Sequence, residues 1–187
     1  PIKKIIEDKY SIPIIVENDV KARTISECFF GAGKDSDNMV NLWIGDGIGA
    51  GIIIDGHLIR GITASAGEVG YDELGFFVKD TNKFPLLYDN QKDFGDILSN
   101  RLLIKAAQLA LNKNGYSSEL KAKNVDLDTI VEAANNEDIL ANKLLQEFGE
   151  LLGILCINLV NTLNMELLII SGKLVQKSDI LINIVTD

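Results

Sequence analysis

The chain has 187 residues, 47% of them hydrophobic, with a formal net charge of −9 and a pI of about 4.6. That length and apolar content suffice for a folded core and exclude wholesale disorder. The acidic balance argues against this stretch gripping nucleic acid itself, because binding phosphate needs an excess of Lys and Arg.

No apolar run approaches the roughly 20 residues that span a bilayer, and no basic, apolar leader opens the chain. Cys28 and Cys156 lie far apart in helical surroundings and read as buried thiols in a reducing cytoplasm. With one histidine and no Cys-x-x-Cys, a structural zinc site is not expected.

Ile5 to Tyr10 reads as the end of a helix that runs into Ser11-Ile12-Pro13. Ile12 to Val16 is apolar and β-branched, the pattern of a buried strand. Glu17-Asn18-Asp19 sits where that strand stops, and Val20 to Phe30 follows as a helix with Asn18 or Asp19 as its N-cap. Capping alone would explain either residue. The functional alternative is that carboxylates at the C-terminal end of a strand face the cleft of an α/β protein. Gly31 to Asn38 is small and polar, a turn and a candidate hinge between two lobes.

Val40 to Ile44 reads as a buried strand with Trp43 in the core. The cluster Gly45-Asp46-Gly47-Ile48-Gly49-Ala50-Gly51 comes next, then the apolar run Ile52 to Ile54, an Asp55-Gly56 hairpin turn and the short run His57 to Ile59. His57 follows a turn and is expected to be exposed, without a role. Gly45-x-Gly47-x-x-Ala50 fits a relaxed dinucleotide fingerprint, but that loop needs a helix starting within the glycines, and here a strand follows. The Gly-Lys pairs continue as Asp35 and Leu174, so neither is a P-loop. Two readings remain: a plain glycine-rich β-turn, or a turn whose backbone N–H groups approach an anion without side-chain obstruction.

Glu68 stands between Gly67 and Gly70 in a loop after Thr63-Ala64-Ser65-Ala66 and reads as exposed unless it binds a ligand. Leu74 to Val78 reads as a strand, with a loop running on to Asp93. Phe94 to Asn112 has helical spacing and is stopped by Asn114-Gly115. A short helix runs to Asn135, capped by Asp126 or Asp128. Glu137 to Leu163 is the longest helical pattern, and its second half is apolar on nearly all sides, so that half is expected to be buried. Glu166 to Ile170 reads as another buried strand, ending in Ser171-Gly172-Lys173.

Three motifs in this order resemble the ROK family: Glu17-Asn18-Asp19, the glycine hairpin, and Gly67-Glu68-Val69-Gly70. That family joins sugar-responsive transcriptional repressors and sugar kinases on an actin-like (ribonuclease H-like) ATPase fold. The resemblance covers about residues 10 to 75 by motif and the rest by pattern. It implies an α/β fold, with residues 1–38 as the remnant of a first lobe and 39–187 as most of a second. It further implies that Asn18 hydrogen-bonds a sugar and that Asp19, in a kinase, is the general base that takes a proton from a sugar hydroxyl. Glu17 is then structural. Glu68 would accept two sugar hydroxyls, each bond to a charged acceptor worth roughly 1.5–3 kcal/mol. Gly45, Gly47, Gly49 and Gly172 would line the phosphate and nucleotide loops.

The departures from that pattern are as informative. Tyr71 stands where the family has a histidine that binds sugar and, in many members, zinc. Tyrosine donates a hydrogen bond and stacks on a sugar ring but is a poor zinc ligand. A cysteine-rich zinc segment is also missing from Asp72 to Asn100, so no metal is expected. Asp46 replaces the threonine of the second phosphate loop and would repel phosphate unless Mg²⁺ intervened, and Ser171-Gly172 replaces Gly-Gly.

An Asp-x-Gly-x-Thr first phosphate loop does not occur, which leads to the expectation that the chain is a fragment. The sugar side of the site is kept and the nucleotide side is altered. The expected function is therefore the sugar-binding effector domain of a ROK repressor of the xylose-operon type. An ATP-dependent sugar kinase is the alternative, and only that alternative calls for ATP and Mg²⁺. The expected partners are a small-molecule sugar, DNA through a helix-turn-helix segment upstream of Pro1, and a second copy in a homodimer; a cytoplasmic location and no membrane are expected.

Overall fold

In the computed structural model, which describes residues 2–88, 91–113, 116–121 and 124–187, two helices lead into a β-meander. They are α1 (Ile2–Tyr10) and α2 (Asp19–Phe30), and the strands are β1 (Met39–Ile44), β2 (Ile48–Ile54) and β3 (His57–Leu58). The helices α3 (Leu74–Phe77), α4 (Phe94–Ile97), α5 (Asn100–Asn112), α6 (Leu127–Asn135) and α7 (Ile139–Leu163) follow. Strand β4 (Leu167–Gly172) then returns to the sheet, and α8 (Lys173–Lys177) and α9 (Asp179–Thr186) complete the described order.

The sheet order is β3-β2-β1-β4. β1 and β2 are antiparallel with Leu42 opposite Ala50, and β1 and β4 are parallel with Ile44 opposite Gly172. Parallel pairing needs a long crossover, here the helical stretch that ends in α7. The Asp55-Gly56 turn has positive φ at both residues (50° and 73°), the geometry whose twist matches a tight hairpin.

Successive side chains of a strand point to opposite faces, and the two faces of this sheet meet different partners. Val40, Leu42, Ile44, Ile48 and Ala50 join one continuous core with α5, α6 and α7. Asn41 and Gly51, paired across the ladder, lie on the other face under α2. A Cβ on Gly51 would collide with Thr24 Oγ1, so only glycine lets α2 lie this close to β2.

Among the described residues α7 is the one helix long and apolar enough, by length and composition, to cross a membrane, and 56% of its most apolar window is buried within the protein. It is the central core helix, with Leu144, Phe148, Leu151 and Leu152 fully buried. Its second half is not covered on all sides, however: Ile157 and Val160 are exposed. In the same helix Glu147 is 4% exposed, and its Oε2 accepts the backbone N–H groups of Leu86 (2.9 Å) and Leu87 (3.1 Å). Glu147→Leu is expected to cost about 2 kcal/mol, because it leaves those donors without an acceptor. Glu147→Gln, which keeps one acceptor oxygen, should cost less, and urea unfolding of the pair checks the order.

Several sequence expectations need correction. Ile12 to Val16 is not a buried strand: it is irregular and joins no sheet, with Ile12, Ile15 and Val16 all exposed. β-branched composition favours a strand only where a neighbouring strand offers its backbone, and none among the described residues does. Leu74 to Val78 is one turn of helix rather than a strand, because Leu74 and Val78, four residues apart, both reach the core and the Val78 N–H closes on the Leu74 carbonyl. The Phe94 to Asn112 helix is broken at Leu98-Ser99, where the Ser99 side chain accepts from Leu102 N and starts α5. Its expected stop, Asn114-Gly115, lies outside the described residues. The strand expected at Glu166 to Ile170 is β4, Leu167–Gly172, and most of it is only half-buried, since it is an edge strand of the sheet. Trp43 is half-buried, with the Arg23 guanidinium 3.8 Å above its ring. Cys28 is half-buried, whereas Cys156 is buried and its thiol is pushed up to about 12 by that burial.

Candidate functional site

The residue pattern at 17–19 places a helix N-terminus beside the sheet's glycine turn. Asn18 is the N-cap of α2: its Oδ1 accepts from Lys21 N at 3.1 Å. This settles which residue caps, and it leaves Asp19, the first residue of the helix, with an exposed carboxylate that makes no hydrogen bond or ion pair among the described residues. Glu17 pairs with Arg60, Oε2 to the guanidinium at 2.7 Å. The hydrogen bond from Arg60, with that of the Asn18 N–H behind it, holds the Glu17 carboxyl below its usual range.

The glycine turn faces that helix end. Gly45 N donates to the Gly47 carbonyl at 2.8 Å, and Asn100 N donates to the Gly45 carbonyl at 2.9 Å, so the turn is closed on itself and tied to the start of α5. Asp46 is exposed at its tip. On the far side, Ala50 N donates to the Gly67 carbonyl at 2.7 Å. Gly67 has φ +86°, and a Cβ there would collide with the Ala50 carbonyl, so glycine is required where the Glu68 loop meets β2.

Between these parts lies an open cleft of about 510 Å³, lined by Asn18, Asp19, Lys21, Gly45, Asp46, Gly47, Gly49, Gly67, Glu68 and Asn100, among others. Residues far apart in sequence at 18–19, 45–49 and 68 are thus brought to one place. Tyr71 is 78% exposed at the end of a 3-10 turn (Val69–Tyr71) and does not line the cleft. Gly172 does not line it either; it lies beside Ile44 at the end of β4, next to the start of the Gly45 turn. Among the described residues no group of three or more His, Cys, Asp or Glu side chains is placed to hold a metal ion.

The cleft also contains residues that sequence reading missed. Lys21 lines it and is only 2% exposed, its ammonium donating to the Ala64 carbonyl. Asn100 lines it with a side-chain Oδ1 that is buried and unpartnered among the described residues. On the α2 face of the sheet a polar line runs from helix to strands: Asn41 Nδ2 donates to Thr24 Oγ1 (3.3 Å) and Ser171 Oγ donates to Asn41 Oδ1 (2.8 Å). One signal was available: α2 buries Lys21 and Thr24, a polar pair three apart where an apolar stripe is the rule, opposite Asn41 and Gly51.

What these groups offer chemically is three carboxylates without a partner among the described residues (Asp19, Asp46 and Glu68) and a cap amide around an open cleft, suited to a ligand rich in hydroxyl donors. The sequence profile of the ROK family matches residues 1–187. The xylose repressor of Bacillus subtilis (strain 168) is 30% identical over 182 residues, which is 97% of this chain and 43% of that protein. Among solved structures, a ROK family glucokinase from Streptomyces griseus, in complex with glucose and AMPPNP, superposes with a TM-score of 0.81 at 25% identity, covering 100% of this chain and 60% of that one. A ROK family transcriptional regulator, a homologue of the E. coli MLC protein, superposes with a TM-score of 0.81 at 27% identity, covering 98% of this chain and 45% of that one. The chain spans less than half the length of the xylose repressor it matches.

Proposed function

The chain belongs to the ROK family, and from that premise we propose that it is the sugar-binding effector part of a transcriptional regulator of carbohydrate genes. Its α/β architecture is the actin-like ATPase fold. The observation that carries the proposal is the convergence of Asn18, Asp19 and Glu68 on one cleft. Carboxylates accept sugar hydroxyls through charge-assisted hydrogen bonds, and neither of these two has another partner among the described residues to give up.

Similarity to a xylose repressor and to a regulator structure supports the regulatory side. So does Asp46, which puts a negative charge on the turn where a nucleotide's phosphates would approach. In this reading residues 1–38 close a first lobe, 39–187 form most of a second, and sugar binding shifts the population of their relative arrangements. DNA contact belongs to a helix-turn-helix segment outside this stretch. The protein works as a dimer in the cytoplasm, and Tyr71 joins the site only when the ligand or the lobes move it there.

A specific observation supports a second reading, ATP-dependent sugar phosphorylation with Asp19 as general base: Asp19 lines the cleft with no partner among the described residues, and the glucokinase neighbour was solved in complex with glucose and AMPPNP. Calorimetry of the full-length protein against pentoses, hexoses and amino sugars, run beside an assay of sugar-dependent ADP release, separates the two. Binding without turnover is expected. Turnover with any sugar would replace the sensor with a kinase, and neither binding nor turnover would remove the sugar site altogether.

A further inference from the structure

We propose that Lys21 is a positioning residue of the sugar site: its buried ammonium holds the loop that carries Glu68 against the first turn of α2, and so sets Glu68 opposite Asn18 and Asp19. The proposal rests on the sugar-binding reading above and deepens it.

Lysine is almost never fully buried unless it is paired, because taking an ammonium out of water is strongly unfavourable. Lys21 is 2% exposed; the hydrogen-bond acceptor it finds among the described residues is a neutral carbonyl, that of Ala64, 43 residues away, while the Glu17 carboxylate is near enough to feel its charge. A methionine would fill the same space without the desolvation cost, so stability alone does not account for the charge.

The placement of the bond does account for it. The backbone N–H of Lys21 is the one capped by Asn18, so the ammonium and the cap are parts of one residue. Ala64 sits at the middle of the loop in the left-handed region (φ 60°), and the loop is bounded by Gly61 and Gly67, also at positive φ. Its other fastenings include Ala66 N to Arg60 O (3.1 Å), Glu68 N to Ser65 O (3.3 Å), Ala50 N to Gly67 O (2.7 Å), which ties its end to β2 and not to α2, and the Arg60–Glu17 ion pair, whose arginine is exposed. A pair of that kind adds little. Lys21 is therefore the one buried side-chain tie between this loop and α2 among the described residues. The apolar tip of the loop, Ile62, is fully exposed and contributes no packing to hold it.

The test compares Lys21→Met, Lys21→Arg and Glu68→Gln, and the double variant that joins Lys21→Met to Glu68→Gln. It reads them by hydrogen exchange without sugar and by calorimetry with the sugar that the wild type binds. Lys21→Met is expected to speed exchange of the Ala66 and Glu68 amides at least tenfold and to weaken sugar binding about tenfold. It should add no further loss in the Glu68→Gln background, whereas Lys21→Arg should recover part of both effects. A merely structural lysine would weaken binding equally in both backgrounds, and that result overturns the proposal. Unchanged loop exchange in Lys21→Met with sugar binding intact overturns the clamp and leaves the sugar site standing. A looser loop in a protein whose wild type binds no sugar overturns the sugar reading, and with it the positioning role. If Lys21→Met does not fold, Lys21→Gln, which keeps an amide donor in that space, carries the same comparison.

Discussion

Glu68→Gln is expected to lower sugar affinity about 100-fold while leaving the melting temperature unchanged. Glu68 is exposed, and its carboxylate has no partner among the described residues, so removing its charge takes nothing from the fold. Gln keeps the length and shape of the side chain and one acceptor oxygen. It loses the charge and turns the second oxygen into a donor. A bond to a charged acceptor is worth roughly 1.5–3 kcal/mol against about 1 kcal/mol for a neutral one. With two hydroxyls on one carboxylate, the difference comes to about 2.7 kcal/mol, or two factors of ten. Calorimetry reads the change directly, and an unchanged dissociation constant would take Glu68 out of the site. A fall in melting temperature of several degrees would instead mean that the loop from Arg60 to Glu68 depends on the charge, which the hydrogen bonds of that loop give no reason to expect.

The elements that could be read from the sequence are those whose signals are local. Asp55-Gly56 demands positive φ at both turn positions, and that alone pins the β2–β3 hairpin. Asp126, with Thr129 three residues on, forms a capping box and starts α6 where the pattern places it. The glycine turn was also legible, because Ile52 to Ile54 left no room for a helix to begin. Readings that depended on a distant partner fared worse. Ile12 to Val16 has strand composition but finds no adjacent strand among the described residues, and Leu74 to Val78 was drawn into a helical turn by the spacing of two core side chains.

The candidate site divides along the same line. Asn18, Asp19, Glu68, Tyr71 and the glycines stand out through their resemblance to the family's motifs, and the structure brings them to one cleft, Tyr71 and Gly172 excepted. Lys21 and Asn100 carry no motif. What sets them apart is a carbonyl 43 residues away in one case and, in the other, a buried acceptor without a partner among the described residues, and neither can be seen until the chain is folded. The choice between Asn18 and Asp19 as cap was likewise open in the sequence, since both side chains accept an N–H readily. It was decided by geometry: Asn18 caps, and the Asp19 carboxylate is left exposed with no partner among the described residues.

Asp138→Ala is expected to cost about 3 kcal/mol at neutral pH, more than the loss of Glu147. Asp138 was not singled out as a cap in the sequence, yet it starts the core helix α7: Oδ1 accepts from Ala141 N (2.9 Å) and from the Ser118 hydroxyl (3.0 Å). Its Oδ2 accepts from Glu119 N at 2.8 Å, which fastens the preceding loop to the helix. The side chain is only 9% exposed, so alanine loses a cap worth about 1 kcal/mol and leaves further donors unpaired at about 1–3 kcal/mol each, relieved in part by water. The effect has a definite pH dependence. Burial pushes the Asp138 carboxyl up, but the N–H groups of Ala141 and Glu119 and the Ser118 hydroxyl outweigh it, and the net shift is downward. A carboxyl depressed in the folded state stabilises fully above its unfolded value, about 3.9, and loses that contribution as pH falls through the folded value. Urea unfolding of wild type and variant should therefore show the full gap at neutral pH and a narrowing gap below about pH 4. Glu147 runs the other way: desolvation raises its carboxyl despite the two amides it accepts, so its charged form costs stability at neutral pH and its proton is bound more tightly in the folded chain. An Asp138→Ala gap of the same size at both pH values would show that the acceptor geometry of Asp138, not its charge, holds the start of α7; Asp138→Asn, which keeps an acceptor oxygen without the charge, would then recover nearly all of the loss.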